Sequence, residues 1–215
     1  MSDKPENSPR NTPGSIFVIS APSGSGKTTL VKRLLAAMPG LRFSVSYTTR
    51  PRRRGEKEGR DYYFVSKREF RRMVAAGEFV EWAEVVGELY GTAQKQLRVA
   101  QEAGEDVLLD IDVQGHRQVR ARLPEAVSIF ILPPSFQELE RRLRRRRSDA
   151  PEVIERRLAN ARREIRHWPE YDYLVVNDKL RPAARALRAV VEAAKLRRRV
   201  QQDRAREICR TFGGK

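Results

Sequence analysis

The sequence of 215 residues has one cysteine and two histidines. Because a single cysteine cannot form an internal disulfide, nothing in the composition indicates an oxidising compartment. Cys209 has no histidine near it in REICRTF, and we interpret it as an inert helix residue rather than a nucleophile. His116 and His167 are far apart in the chain and show no spacing typical of a metal site or a catalytic triad.

Long apolar runs are also missing. The longest ones, such as Val127–Leu132 (VSIFIL), have the length of a strand and are far too short to span a bilayer. The first residues, MSDKPENSPRNTPG, lack the apolar stretch of a signal peptide, and their composition predicts a disordered tail over residues 1–13. We therefore expect a cytoplasmic protein with no membrane partner.

Positive charge is abundant, since 44 Lys and Arg residues against 28 Asp and Glu residues give a formal net charge of +16. Such a charge can indicate nucleic-acid binding. However, arginine is spread over most of the predicted helices, and no zinc-finger spacing or RNP-type aromatic motif accompanies it. We therefore expect small anionic substrates and no specific nucleic-acid partner. Whether the chain is a monomer or a homo-oligomer stays open.

Short apolar strands alternate with amphipathic helices, which is typical of an α/β protein with a parallel sheet. Strands of a sheet core are predicted at Ile16–Ser20, 106–112, Val127–Leu132 and Tyr173–Val176. Helices are predicted at 28–38, 92–103, 113–123 and 151–166, with one long C-terminal helix from 181 or 182 to 208.

The stretch from 44 to 92 has a different character, with short extended pieces separated by glycines, and we interpret it as an inserted, mainly β lobe. One helix is predicted inside it, from 66 to 76, because Ser66 and Glu69 have capping-box spacing and Gly77 follows. A second capping box, formed by Ser135 and Glu138, opens the helix that leads into four consecutive arginines at 144–147.

Residues 21–28 read APSGSGKT and lie between a predicted buried strand and a predicted helix, which is the setting of a P-loop. The N–H groups of such a loop converge on phosphate oxygens, and the following helix adds its positive N-terminal end. In this setting Lys27 reaches the β- and γ-phosphates, and the hydroxyl of Thr28 reaches Mg²⁺. The predicted ATP-binding residues are Ala21, Pro22, Ser23, Gly24, Ser25, Gly26, Lys27, Thr28 and Thr29. The strict P-loop pattern has glycine where this chain has Ala21.

Further motifs follow the P-loop: SVSYTTRPRRR at 44–54, Gly55-Glu56, GRDYYF at 59–64, Glu81-Trp82, Tyr90-Gly91-Thr92 and LDIDVQG at 109–115. In this order and spacing they resemble the guanylate kinase family over most of the chain, about residues 15–192. The resemblance implies Mg²⁺-dependent transfer of the γ-phosphoryl group of ATP to GMP, in purine nucleotide metabolism and GMP recycling. It also implies a guanylate kinase-like domain over 14–215, with a P-loop NTPase-type parallel sheet core flanked by helices (14–43, 93–141 and 167–215), a GMP-binding lobe (44–92) and a helical lid (142–166).

The resemblance assigns roles within the acceptor site. The phosphate of GMP is assigned to Arg50, Arg53, Tyr62 and Tyr90, and guanidinium groups do pair bidentately with phosphate oxygens. The guanine edge is assigned to Glu81, Ser46 and Thr92, and a carboxylate can accept from both N1–H and N2–H₂ of guanine. Asp112 is assigned to the GMP and metal side of the cleft, so that Thr28 and Asp112 are the predicted Mg²⁺ ligands. For Asp110, a structural role as the cap of the following helix stays open.

The resemblance also implies a lid over ATP. It assigns catalytic roles to Lys27 and to the lid arginines Arg142, Arg146 and Arg157, which would stabilise charge during transfer. The run of arginines at 144–147 stands where the family commonly has a Gly-Arg-Gly core, so which of them is catalytic stays open. Asn177 resembles the adenine-contacting turn of the family.

Three alternatives stay open. The first is a non-catalytic interaction module, although the chain keeps Lys27 and Thr28. The second is a sugar-phosphate kinase of the same fold, which should lack Glu81 and the motif from Ser46 to Arg53. The third is a P-loop enzyme that acts on nucleic acid, which the small size disfavours.

Overall fold

The computed structural model describes residues 13–85, 87–145 and 150–213. The strands are β1 (Ile16–Ser20), β2 (Leu41–Phe43), β3 (Tyr47–Thr48), β4 (Tyr63–Phe64), β5 (Phe79–Val85), β6 (Glu88–Ala93), β7 (Asp106–Asp110), β8 (Val127–Leu132) and β9 (Tyr173–Val176). The helices are α1 (Lys27–Ala37), α2 (Lys67–Ala75), α3 (Gln94–Glu102), α4 (Val113–Arg122), α5 (Phe136–Arg145), α6 (Pro151–Glu164), a 3₁₀ helix (Ile165–Glu170), α7 (Leu180–Lys195) and α8 (Arg198–Thr211). No helix within these described ranges is both long and apolar enough to cross a membrane.

The core sheet has five parallel strands in the order β2-β7-β1-β8-β9. On one face, Leu30 of α1 and Leu187 of α7 pack against the sheet; on the other, Leu97 of α3 and Val119 of α4 do so. Because helices cover both faces, the central strands β1 and β8 are buried almost continuously rather than at alternate residues. The predicted α/β class with a parallel sheet core is confirmed.

A second sheet, the lobe sheet, has the order β4-β3-β6-β5 and its own apolar cluster. Phe70 and Met73 of α2 pack there against Phe79 and Leu89. The predicted cap at Ser66 is present, since its hydroxyl accepts from N–H of Glu69 at 3.1 Å. The proposed lobe, 44–92, encloses this sheet apart from Ala93, the last residue of β6.

A fourth apolar cluster joins α5 and α6. It consists of Leu139, Leu143, Ile154, Leu158 and Ala161. The cluster includes Leu139, which lies before residue 142, where the proposed lid begins. Residues 146–149, which connect the two helices, lie outside the described residues, and the predicted catalytic Arg146 is one of them.

The predicted long C-terminal helix is wrong, because the structure has two helices that meet at Leu196 and Arg197. Arg197 is extended, with φ −55° and ψ 140°, and the side chain of Gln201 donates to O of Lys195 at 2.8 Å. The apolar face of α7 packs on the core, whereas α8 has no buried residue in its described length. Since no glycine or proline marks the change of direction, local sequence signals do not reveal it.

Two predicted boundaries also shift near the site. The helix predicted from Thr92 begins at Gln94, because Thr92 still pairs with Glu81 in the lobe sheet. The strand predicted to run to Asp112 ends at Asp110, because Asp112 caps α4.

Candidate active site

The loop between β1 and α1 depends on its two glycines. Gly24 and Gly26 have φ angles of +92° and +86°, a backbone conformation that favours glycine. A Cβ at Gly24 would lie 2.9 Å from Cγ of Leu143, and one at Gly26 would lie 2.4 Å from Nδ2 of Asn177. The loop therefore lies directly against α5 and against the segment that follows β9.

Asn177 fastens this loop to the end of the core sheet. Its side-chain amide donates to O of Ser25 at 2.7 Å, and its backbone N–H donates to O of Leu132 at 2.7 Å. Asn177 is buried, and it also lines a cavity beside the loop. Its side chain thus supports the loop, and the contact with adenine stays a prediction.

Lys27 lies between the loop and the carboxyl end of β7. Its Nζ is 2.5 Å from Oδ1 of Asp110 and donates to O of Ile111 at 3.3 Å. Asp112 has a different position, because its Oδ1 accepts from N–H of Gly115 at 2.9 Å and caps α4. The capping role that the sequence left open for Asp110 therefore belongs to Asp112, since the helix begins only after it.

Oxygen donors suited to Mg²⁺ meet at this edge of the core sheet. Thr28, Asp110 and Asp112 line the same cavity. Within the described ranges, no group of three or more His, Cys, Asp or Glu side chains could hold a metal by itself. The two carboxylates and the hydroxyl on this wall fit an ion such as Mg²⁺, which binds through one or two carboxylates and takes its other ligands from water and phosphate.

A cavity of about 340 Å³ separates the lobe sheet from the core sheet, and Lys27 and Thr28 form part of its wall. The structure brings five of the predicted acceptor residues to this wall: Ser46, Tyr62, Glu81, Tyr90 and Asp112. We call it the acceptor cavity.

Glu81 is a buried carboxylate, only 3% exposed, on the wall of this cavity. Burial raises its pKa to about 7, and the nearby Asp112 adds to the rise, whereas the hydrogen bond from Thr92 opposes it. Thr92 Oγ1 donates to Oε1 of Glu81 at 2.5 Å, so Thr92 contacts the carboxylate itself. A Cβ at Gly115 would lie 2.5 Å from Oε2 of Glu81. Gly115, present in the LDIDVQG motif but given no role from sequence, therefore provides the space that Glu81 occupies.

Arg50 lies against Tyr62, a residue of the acceptor cavity wall, and we call Arg50, Tyr62 and Tyr90 the cationic side. The Cζ of Arg50 is 5.3 Å from the ring centroid of Tyr62, and the rings of Tyr62 and Tyr90 meet edge to face at 5.9 Å. Arg50 Nη2 is 2.7 Å from Oε1 of Glu56, while Oε2 of Glu56 accepts from the backbone N–H of Arg53 at 2.8 Å. Glu56, which had no predicted role, thus organises both predicted arginines. The Arg53 side chain itself is exposed.

A second cavity, of about 590 Å³, lies on the other side of the P-loop; we call it the donor cavity. Gly24, Gly26 and Thr29 line it together with Asn177 and Arg142. Arg142 is held firmly, because its guanidinium donates to Oε1 of Glu138 at 2.7 Å and to the backbone O atoms of Asn177 at 2.9 Å and Asp178 at 3.3 Å. Arg157, on α6, is partly buried.

Glu164, at the end of α6, also contacts the P-loop. Its Oε2 accepts from N–H of Ser23 at 3.3 Å, and burial raises the pKa of this carboxyl group. Nothing in the local sequence distinguishes Glu164 from the other charged residues of α6. Only the packing of the helix against the loop reveals the contact.

One loop therefore separates two cavities: its glycines line one cavity, whereas Lys27 and Thr28 line the other together with the Glu81 carboxylate and two phenol groups. A P-loop core with a second, polar cavity at the same lysine defines a phosphotransferase that moves phosphate between two bound substrates.

Comparison with known proteins narrows this class. A sequence model of the guanylate kinase family matches residues 14–194. A guanylate kinase of Dechloromonas aromatica is 55% identical over 183 residues, which are 85% of this chain and 91% of that relative. One of Koribacter versatilis is 56% identical over 188 residues, or 86% of this chain and 81% of the relative. The crystal structure of guanylate kinase from Anaplasma phagocytophilum superposes with a TM-score of 0.73 at 39% identity, covering 87% of this chain and 89% of that one.

The chain belongs to the guanylate kinase family. The family, the fold class and the enzyme class predicted from the sequence are therefore confirmed.

Proposed function

We propose that this chain transfers the γ-phosphoryl group of ATP to GMP, giving ADP and GDP. One observation carries the proposal: the buried carboxylate of Glu81 lies on the wall of a cavity that also contains Lys27 and Thr28 of the P-loop. An acceptor read by Glu81 would then lie within reach of the phosphate loop.

Guanine is the base that suits this carboxylate. It presents two adjacent donors, N1–H and N2–H₂, and an ionised carboxylate accepts both, whereas adenine has no such pair. Thr92 donates to Oε1 of Glu81 and leaves Oε2 and the remaining lone pairs for the base. Ser46, on the same wall, adds a hydroxyl group that can donate or accept.

The phosphate of GMP is assigned to the cationic side. Arg50, Tyr62 and Tyr90 already lie together there, and a dianion would compete with Glu56 for the guanidinium of Arg50. Arg53 is next to this cluster through its backbone contact with Glu56 and has an exposed side chain that is free to reach the phosphate.

ATP is assigned to the donor cavity. Residues 21–29 would bind its phosphates through loop N–H groups and the N-terminus of α1, with Asn177 near the adenine. Lys27 would move from Asp110 to the transferred group. Arg142, Arg146 and Arg157 are proposed to stabilise its charge from the lid, 142–166.

Mg²⁺ would be held by Thr28 and Asp112, and when bound it would neutralise charge on the phosphates. We further propose a cytoplasmic protein that functions in purine nucleotide metabolism and GMP recycling, as a monomer or homo-oligomer without a specific nucleic-acid partner. The core, lobe and lid keep the boundaries proposed from the sequence.

A coupled assay of ADP release tests the function, with GMP, AMP, CMP and UMP supplied in parallel with ATP and Mg²⁺. We expect turnover with GMP to exceed that with the other three by at least about a hundredfold. Equal turnover with all four, or none with GMP, would contradict the proposal.

A further inference from the structure

Strand β5 has an irregularity immediately before Glu81. Phe79 pairs with Ala93 and Glu81 pairs with Thr92, so Val80 is an extra residue that forms a β-bulge. Because of the bulge, the three successive side chains of Phe79, Val80 and Glu81 have different surroundings. Phe79 packs in the cluster of the lobe sheet, Val80 packs in the cluster under the core sheet, and Glu81 faces the acceptor cavity.

Helix α4 lies along the edge of this strand that does not face β6. Arg122 Nη1 donates to O of Phe79 and to O of Val80, both at 2.6 Å. Gln118 Nε2 donates to O of Trp82 at 2.6 Å, and Oε1 of Gln118 accepts from N–H of Trp82 at 3.2 Å. The backbone on both sides of Glu81 is therefore bonded to one helix.

The same face of α4 also accommodates the carboxylate. Gly115, Gln118 and Arg122 are spaced i, i+3 and i+7, which places them on one side of a helix. Gly115 leaves the space for Oε2 of Glu81, and Gln118 and Arg122 bind the strand that carries it. The helix is itself fixed, because Val119 is fully buried under the core sheet.

We propose that Gln118 and Arg122 are positioning residues for base selection: by holding the bulged edge of β5 on α4, they place the carboxylate of Glu81 against the guanine edge. The inference rests on the proposed function, in which Glu81 accepts from N1–H and N2–H₂. Nothing in the sequence motifs singles out either residue for this role, because their contacts reach across more than 35 residues of chain.

Kinetics with GMP and IMP provide the test, because IMP lacks the exocyclic amino group that a well-placed carboxylate recognises. We expect Gln118→Leu to lower kcat/KM about tenfold for GMP and only about threefold for IMP, which keeps N1–H but lacks the amino group, with KM for ATP unchanged. Gln118→Glu keeps the size and the acceptor but loses the donor to Trp82, and should show the same trend if Gln118→Leu folds poorly. Gln101→Leu is the matched control, since that amide donates to O of Gly14, away from both cavities.

A double-mutant cycle shows whether Gln118 acts through Glu81. In a Glu81→Gln background, Gln118→Leu should change the GMP/IMP ratio by less than about twofold. Equal losses with GMP and IMP, or a full further effect in that background, would overturn the inference and leave only a general role in stability.

A carbon-13 NMR titration of the Glu81 carboxyl group separates this inference from the proposed function. In Gln118→Leu we expect Glu81 to titrate lower than in the wild type, because the carboxylate becomes more exposed to water. The proposed function would fail if the wild type did not phosphorylate GMP. The positioning role would fail, independently of that result, if Glu81 titrated at the same pH in Gln118→Leu and in the wild type.

Discussion

The two cavities on either side of the P-loop are built by different means. The donor cavity is lined by one continuous loop segment with two glycines, Gly24 and Gly26, and the backbone N–H groups of this loop are proposed to bind phosphate. The acceptor cavity takes side chains from separate segments, including Ser46, Tyr62, Glu81 and Tyr90. Backbone donors recognise any phosphate, whereas a buried carboxylate recognises a particular base, and burial makes that carboxylate unfavourable when it is charged. The contrast is between generic and selective recognition, and each prediction below tests one side of it.

The largest effect is expected on the donor side. Lys27→Ala removes the amine that would stabilise the transferred phosphoryl group, and we expect kcat to fall by a factor equivalent to about 3 kcal/mol or more. Lys32→Ala, an exposed lysine on the same helix, serves as the control. Circular dichroism should show that both variants are folded. A near-normal kcat for Lys27→Ala would remove the lysine from the mechanism.

On the acceptor side, Glu81→Gln replaces one acceptor by a donor that faces the donors of guanine. We expect kcat/KM for GMP to fall by a factor equivalent to roughly 2–4 kcal/mol of transition-state stabilisation, while KM for ATP stays the same. Glu84→Gln, at an exposed position of the same strand, should leave both constants unchanged. If selectivity for GMP over AMP survives Glu81→Gln, the base is read elsewhere.

The same change should have the opposite effect on stability. Burial raises the pKa of Glu81 from 4.5 to about 7, so the folded protein holds this proton more tightly than the unfolded chain does. The free energy of unfolding therefore falls as the pH rises from about 4.5 through about 7, and the loss at higher pH is roughly 3 kcal/mol. Glu81→Gln abolishes this titration, so it should exceed the wild type in stability by about 2–3 kcal/mol at pH 8 and by much less at pH 5.

Urea unfolding at both pH values measures this difference. The same stability gap at pH 5 and pH 8 would mean that the raised pKa of Glu81 does not set the pH dependence. The pair of results, lower activity and higher stability from one substitution, would show that selective recognition is obtained at the expense of stability.

A smaller effect is expected at Gly115. Gly115→Ala would place a Cβ 2.5 Å from Oε2 of Glu81, so the carboxylate must shift. We expect kcat/KM for GMP to fall by a factor equivalent to about 1–2 kcal/mol of transition-state stabilisation, with little change in KM for ATP. Steady-state kinetics with both substrates check this, and Ala121→Gly, on an exposed part of the same helix, shows what a small change in helix propensity does by itself. Equal losses for both substrates would argue against a specific contact with Glu81.

What can be predicted from this sequence is mainly local. The P-loop could be identified because phosphate recognition is contained in one loop between a strand and a helix. The cap at Ser66 and the strand Val127–Leu132 were predicted for the same reason, since a side chain that caps its own helix and a run of buried apolar residues are both local patterns. The acceptor residues were predicted from the order of the motifs and from their resemblance to a family.

The contacts that relate these parts to one another required the tertiary structure. The sequence left a capping role open for Asp110, and only the start of α4 decides that Asp112 caps the helix while Asp110 pairs with Lys27. The space for Glu81 at Gly115 and the hydrogen bond from Ser23 to Glu164 join residues that are more than 30 positions apart. The end of α7 near Leu196 is not marked by a glycine or a proline in the sequence. Local propensities determine which segments are strands, helices and phosphate loops, but the partner of each polar group depends on how those segments pack, because packing alone brings distant atoms within hydrogen-bonding distance.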